Sequence, residues 1–286
     1  MNYPSQKQVL LAVLAHPDDE TFGMGGTLAL YASRGVEVHL VCATRGEVGE
    51  MDPKLLEGFS SIAERRESEL CCAADMLGLK AVHFLDYRDS GMPGSPDNTH
   101  PSALAAQPVE QVAEQVAHWI RKLKPQVVLT FDPVGGYYHP DHIAIHKATV
   151  AGVELAKQSE NGDPGMEGYA VQKLYYHTMP KGFIRTTVRL MKLVGKDPTK
   201  FGTNKDVDLE AIARVSFPIH AIIRYASAEK LRAKASACHE SQGGKRMGGG
   251  PLGFLLRLFS AKDTFMRAYP PVQTRQMEKD LFEGVQ

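Results

Sequence analysis

Short apolar runs alternate with stretches of helical spacing along most of this chain, and that alternation restricts the fold more than any other feature. Gln8 to Ala15 (QVLLAVLA), Val36 to Ala43, Ala81 to Leu85, Gln126 to Phe131 and Lys173 to Thr178 read as strands. The first is nearly unbroken in its apolarity, the pattern of a strand buried on both faces. Between them, Thr27 to Ser33, Ser61 to Leu77, Val109 to Leu123 and Ile143 to Lys157 carry helical periodicity, with Gly35 and Gly78 placed as stops. Strands alternating with helices predict βαβ units. The expected fold is therefore α/β: a Rossmann-like, mostly parallel sheet with helices on both faces. Beyond Pro180 the pattern weakens without a linker, so a single domain is expected, with a core over about 8–180 and C-terminal helical additions over about 181–286.

Composition removes several classes of function. The 286 residues carry 33 basic and 33 acidic side chains, a formal net charge of zero, and 43% are hydrophobic. A disordered chain would be poorer in apolar residues and more charged. A dedicated nucleic-acid binder is usually basic, so no nucleic-acid partner is expected. No apolar run approaches the roughly 18 residues of a membrane span, so no stable membrane insertion is expected. Cys42, Cys71, Cys72 and Cys238 form no C-x-x-C pair, and adjacent Cys71 and Cys72 cannot easily bridge each other. Reduced thiols and a cytoplasmic location are the expectation. The N-terminal apolar run leads into acids and a proline without a small-residue cleavage site, which is not the pattern of a signal peptide.

The chemistry concentrates where strands end. The first strand runs directly into His16-Pro17-Asp18-Asp19-Glu20. The fourth is followed by Asp132 to His142, which contains His139-Pro140-Asp141-His142. Parallel strands bring their C-terminal ends to one sheet edge, where ligands of such folds bind. Three acids in a row beside an apolar strand repel one another unless a cation compensates them. Imidazole and carboxylate are suitable zinc donors, and a catalytic site uses three of them with one position left open for water. A lone His-Pro-Asp is more often a turn whose aspartate caps a helix. Two such motifs at matched strand ends point to a metal site instead. Asp132 is expected to support a loop, and Gly23, Gly25 and Gly26 to serve close packing, since Leu28 breaks the dinucleotide-binding pattern. His39, His83, His118 and His146 receive no role.

These motifs resemble the LmbE/PIG-L family of metal-dependent sugar N-deacetylases. Ala15 to Glu20 and His139 to His142 match its two hallmarks, with Thr44 to Glu47 and Arg66 to Glu69 between them. Arg88 to Met92 and Gly135 to Tyr137 are similar to the mycothiol-pathway branch, and His239-Glu240-Ser241-Gln242 to the family's C-terminal H-x-S-Q element. The resemblance implies His16, Asp19 and His142 as ligands of Zn2+, with Fe2+ as an alternative metal. It implies Asp18 as general base, His139 as general acid or oxyanion stabiliser, and Asp141 as the residue that orients His139. Glu47, Arg66, Asp89 and Tyr137 match substrate-binding positions, and Tyr138 stands where close relatives often carry glycine or proline. The implied reaction removes an N-acetyl group from an N-acetylglucosamine-type sugar through zinc-activated water, and the leaving amine takes its proton from Asp18 or from His139.

Rival readings use the same residues. An amidase acting on a thiol conjugate would share the machinery. Two histidines and a carboxylate also suit a non-haem iron oxygenase, although the strand–helix alternation differs from the jelly-roll of many such enzymes. A non-catalytic sugar-binding module is the third rival. The basic stretch Lys181 to Lys205 reads as an amphipathic packing helix, with a lid or an anionic-substrate contact as the sharper alternative. Gly248 to Phe259 joins a glycine-rich hinge to FLLRLF, a candidate lid or subunit interface, which leaves a homo-oligomer open.

Overall fold

The computed structural model describes residues 7–159, 166–179, 181–201, 207–244, 261–273 and 276–286. In chain order the strands are β1 (Val9–Leu14), β2 (Glu37–Cys42), β3 (Ala81–Phe84), β4 (Val127–Phe131), β5 (Lys173–Thr178), β6 (Ala221–Arg224) and β7 (Lys262–Tyr269). The helices are α1 (Asp19–Ser33), α2 (Ile62–Leu77), α3 (Val109–Leu123), α4 (Gly135–Tyr138), α5 (Pro140–Leu155), α6 (Lys181–Leu193), α7 (Leu209–Arg214) and α8 (Glu229–Cys238). One seven-stranded sheet runs in the order β3-β2-β1-β4-β5-β7-β6. The five strands expected from apolar patterning are mutually parallel. Every residue of β1 and β4 is buried, as strands covered on both faces must be. Helices α1, α2 and α8 pack together as one layer, and α3 packs on α5 as the other.

The C-terminal additions are not only helical, as the sequence pattern had suggested. Strand β7 pairs antiparallel with β5 and with β6, which extends the sheet by two strands. Antiparallel pairing needs no crossover helix, so the alternation that revealed β1 to β5 was absent here. Tyr225, just after β6, explains Gly26: a Cβ there would lie 2.3 Å from the Tyr225 ring. The glycine serves close packing, as expected, but its partner comes from the C-terminal region.

The cysteine expectation is corrected. Cys72 on α2 and Cys238 at the end of α8 form a disulfide, with Cα atoms 5.8 Å apart and 166 residues between them in sequence. Spacing along the chain could not reveal this pair, because it arises from α2 lying against α8. Cys42 is buried and Cys71 exposed, each as a thiol. No helix among the described residues is long and apolar enough to cross a membrane. Helix α6 covers the first part of the basic stretch and packs on α7, with Arg189 and Lys192 exposed beside Leu190 and Leu193. Gly248 to Phe259 lies outside the described residues.

Candidate metal centre

Strands β1 and β4 are neighbours with Leu10 opposite Val127, so their C-terminal ends deliver the two His-Pro-Asp motifs side by side. Both motifs then become the first turns of helices. Asp19 opens α1, and Pro140 opens α5 with His139 as its N-cap. Asp18 occupies the N-cap position of α1 but makes no capping bond with its side chain, and its backbone sits at φ 126°. The ordinary reading of His-Pro-Asp as a capped turn therefore fails at Asp18, whose carboxylate faces Arg66 instead.

Three donor groups converge at the junction. His16 Nδ1 lies 3.2 Å from His142 Nε2. Asp19 Oδ2 is 3.4 Å from His16 Nδ1, and the other carboxylate oxygen, Oδ1, is 3.2 Å from His142 Nε2. A tetrahedral ion with bonds of about 2.0–2.1 Å separates its donors by about 3.3–3.4 Å, so these distances suit a zinc-sized divalent cation. Neighbours fix which ring nitrogen faces inward. His142 Nδ1 donates to the Gly135 carbonyl at 3.2 Å, which turns Nε2 to the site, and the Phe131 ring stacks on the imidazole at 3.9 Å. His16 Nε2 is 3.1 Å from Asp141 Oδ2, leaving Nδ1 for the site. Such carboxylate and carbonyl partners set ring orientation and raise ligand basicity. His139 also belongs to a group with His16 and His142 whose donor atoms lie within 4.8 Å of one another.

Asp141 differs from its expected part. Its carboxylate takes the His16 ring and both the backbone N–H and the hydroxyl of Ser90, not the His139 side chain. Its link to His139 is the Asp141 backbone N–H, which donates to His139 Nδ1 at 3.2 Å. That bond places the proton of a neutral His139 on Nε2. Burial, reinforced by His16 and His142, holds His139 well below the usual histidine range, so it stays neutral and presents Nε2–H as a donor.

Asp18 is a different acid. Burial pushes its carboxyl up to about 6, against the pull of the nearby Arg66 guanidinium. Arg66 Nη2 donates to Asp18 Oδ2 at 3.2 Å and to the Pro17 carbonyl at 2.8 Å, while Nη1 donates to the Gly46 carbonyl at 3.1 Å. Gly46 (φ 69°) is required here, since a Cβ would sit 2.0 Å from the guanidinium.

A cavity of about 370 Å³ opens beside these groups. Asp18, Arg66, Asp89, Tyr137 and His139 line it, together with His16. Glu47 does not: its carboxylate accepts the Asp89 backbone N–H at 3.0 Å and so shapes the wall from behind. Tyr138 (φ 71°) is absent from the lining too, so it does not narrow the cavity. Its positive φ explains why glycine suits that position. Asp132 supports the loop as expected, accepting the N–H groups of Val134 and Gly136 at 3.1 and 2.9 Å. His146 donates to the Phe131 carbonyl, and His39 and His83 face each other at 3.3 Å. Sequence reasoning missed Ser90 and gave no part to Glu20, both buried beside the motifs. It also assigned nothing to Gln242, which reaches the cavity from the C-terminal region.

Residues 11–153 match the family model PIG-L, described as GlcNAc-PI de-N-acetylase. Similarity extends further in a 1D-myo-inositol 2-acetamido-2-deoxy-alpha-D-glucopyranoside deacetylase 2 of Catenulispora acidiphila, 38% identical over 206 residues, 68% of each chain. The chain belongs to the PIG-L family. A second PIG-L relative, the deacetylase of the same description from Kineococcus radiotolerans, is 40% identical over 208 residues, 67% of this chain and 58% of its own length. Among solved structures, N,N'-diacetylchitobiose deacetylase from Pyrococcus horikoshii superposes with TM-score 0.61 at 21% identity, covering 92% of this chain and 84% of that one. A 4-carboxy-2-hydroxymuconate hydratase from Pseudomonas putida superposes with TM-score 0.59 at 20% identity, covering 94% and 99%. At such identities these two show the PIG-L fold alone, and one of them is named for a different reaction.

Proposed function

We propose that this protein is a divalent-metal-dependent hydrolase that removes the N-acetyl group from an N-acetylglucosamine glycoside, with a GlcNAc-inositol as its substrate and zinc as its metal. The observation that carries the reading is the triangle of His16, Asp19 and His142 donors at 3.2–3.4 Å beside the buried Asp18 carboxylate. The names of the two relatives supply the substrate class. A cavity of about 370 Å³ lies within the range of small-ligand sites, which suits a mono- or disaccharide-sized molecule.

A cation held by His16, Asp19 and His142 would supply the Lewis acidity that acidifies water and polarises an amide carbonyl. Asp18, with its carboxyl raised toward neutrality, accepts the proton of the attacking water. His139, neutral and protonated on Nε2, donates a hydrogen bond to the carbonyl oxygen as negative charge gathers there. The leaving nitrogen needs a proton, and Asp18 has just acquired one. Asp18 therefore serves as base and then as acid, and His139 as oxyanion donor. Arg66 holds the Asp18 side chain in place throughout.

The test is free-amine and acetate release from a panel of GlcNAc-inositol, GlcNAc-malate, N-acetylglucosamine, chito-oligomers and a thiol-conjugate amide, with metal content measured in parallel. Acetate released fastest from GlcNAc-inositol, with one divalent ion per chain, is expected. Preference for the thiol conjugate would favour an amidase, and no release from any member would overturn the reading.

A further inference from the structure

We infer that His239 is a positioning residue of this site: acting through Glu20, it fixes the backbone of Asp18. The inference rests on the proposed part of Asp18 as base. His239 and Glu20 are both wholly buried, at 0% exposure. His239 Nε2 is 2.7 Å from Glu20 Oε1, and Glu20 Oε2 accepts the Asp18 backbone N–H at 2.9 Å. One carboxylate thus joins the end of α8 to the residue that begins the α1 turn.

Asp18 needs such a hold. A residue with a side chain at φ 126° is in sparsely populated backbone space and persists only where its surroundings over-determine it. Thr21 donates its hydroxyl to Glu20 Oε1 at 2.5 Å, which orients the carboxylate but does not compensate its charge. The His239 ring meets the same oxygen through Nε2. Burial lowers the His239 pKa, while Glu20, with Asp18 and Glu69, raises it, and the net shift is upward. A buried carboxylate without hydrogen-bonded partners would be costly and poorly held.

His239 is itself fixed from both sides. Immediately before it, Cys238 is bridged to Cys72 on α2. Just after it, Ser241 donates its N–H and hydroxyl to the two oxygens of Glu69, also on α2, at 2.9 and 2.6 Å. The same helix carries Arg66, which holds the Asp18 carboxylate at 3.2 Å. Asp18 is thereby gripped by its side chain from α2 and by its backbone from the C-terminal element fastened to α2. Of these residues only Asp18 and Arg66 line the cavity.

The experiment compares His239→Gln in two backgrounds, using full-length metal-loaded protein. In the otherwise native protein, kcat is expected to fall about 10- to 100-fold with KM held within about twofold, the scale of a misplaced reacting group. Metal content should be unchanged. In an Asp18→Asn background, His239→Gln should cost less than about twofold more in residual kcat, because the two act in series. Equal cost in both backgrounds would overturn the inference, as would an unchanged kcat in the single variant. If His239→Gln does not fold by circular dichroism, Glu20→Gln carries the same two comparisons. Failure of the underlying reading is separately visible: Asp18→Asn alone would then retain its activity.

Discussion

Asp18 and Asp19 are neighbours in sequence with different surroundings, and local geometry divides the tasks proposed for them. Asp19, the first residue of α1, turns to the two histidines and accepts the His16 backbone N–H at 2.7 Å. Asp18 turns to Arg66 and the cavity. Asp18→Asn should keep the metal and lower kcat by about 10²–10⁴, the worth of positioned proton transfer, as steady-state kinetics with metal analysis will read. Asp141 gives a second prediction. Asparagine there can accept through only one oxygen, so Asp141→Asn should weaken metal binding by about 10- to 100-fold in chelator competition. The motif residues were legible because two His-Pro-Asp tripeptides at strand ends are hard to explain otherwise. The partner of Asp141 was not, because adjacency in sequence to His139 suggested a contact that α5 does not make: the Asp141 carboxylate meets His16, 125 residues away.

The helices that carry the site begin earlier than their apolar periodicity. Thr27 and Ile143 were the expected starts, but α1 opens at Asp19 and α5 at Pro140. The extra turns hold the polar site residues, which have no apolar stripe to announce them. By contrast α3 and β5 coincide with their expected spans, because packing alone decides their residues. Helix α2 shows the ordinary signals in full: Ser61 caps it by accepting the Glu64 N–H at 3.1 Å, and Gly78 ends it at φ 76°. The kink of α1 at Met24 (φ −137°) lies just before Gly25 and Gly26. Gly26→Ala forces a methyl against the Tyr225 ring at 2.3 Å. Overpacking of that kind costs about 1–3 kcal/mol, so denaturant unfolding should give a lower midpoint with an unchanged slope.

At the scale of the whole molecule, the C-terminal strands are fastened to α1, the helix that opens at Asp19. Asp263 on β7 accepts both the N–H and the hydroxyl of Thr27 on α1, at 3.0 and 2.6 Å. Burial pushes its carboxyl up to about 7. The folded chain therefore holds this proton more tightly than the unfolded chain, whose carboxyl titrates near pH 4. Stability from this group is fully present below about pH 4 and is lost as pH rises through about 7. Asp263→Asn keeps an accepting oxygen and removes the titration. Its Tm relative to the native protein should climb between about pH 4 and 7 and then level, whereas a constant offset would refute the assignment. The parallel core was legible from alternation, while β6, β7 and the Cys72–Cys238 bridge depend on contacts between distant segments that leave no local pattern. The chain order of the site has one more consequence. A ribosome releases the chain from its N-terminus, so His16, Asp19 and His142 emerge roughly a hundred residues before His239 and Gln242. Asp18 and His139 emerge with those donors, so the nascent chain acquires every proposed ligand and reacting group well before the element inferred to steady Asp18.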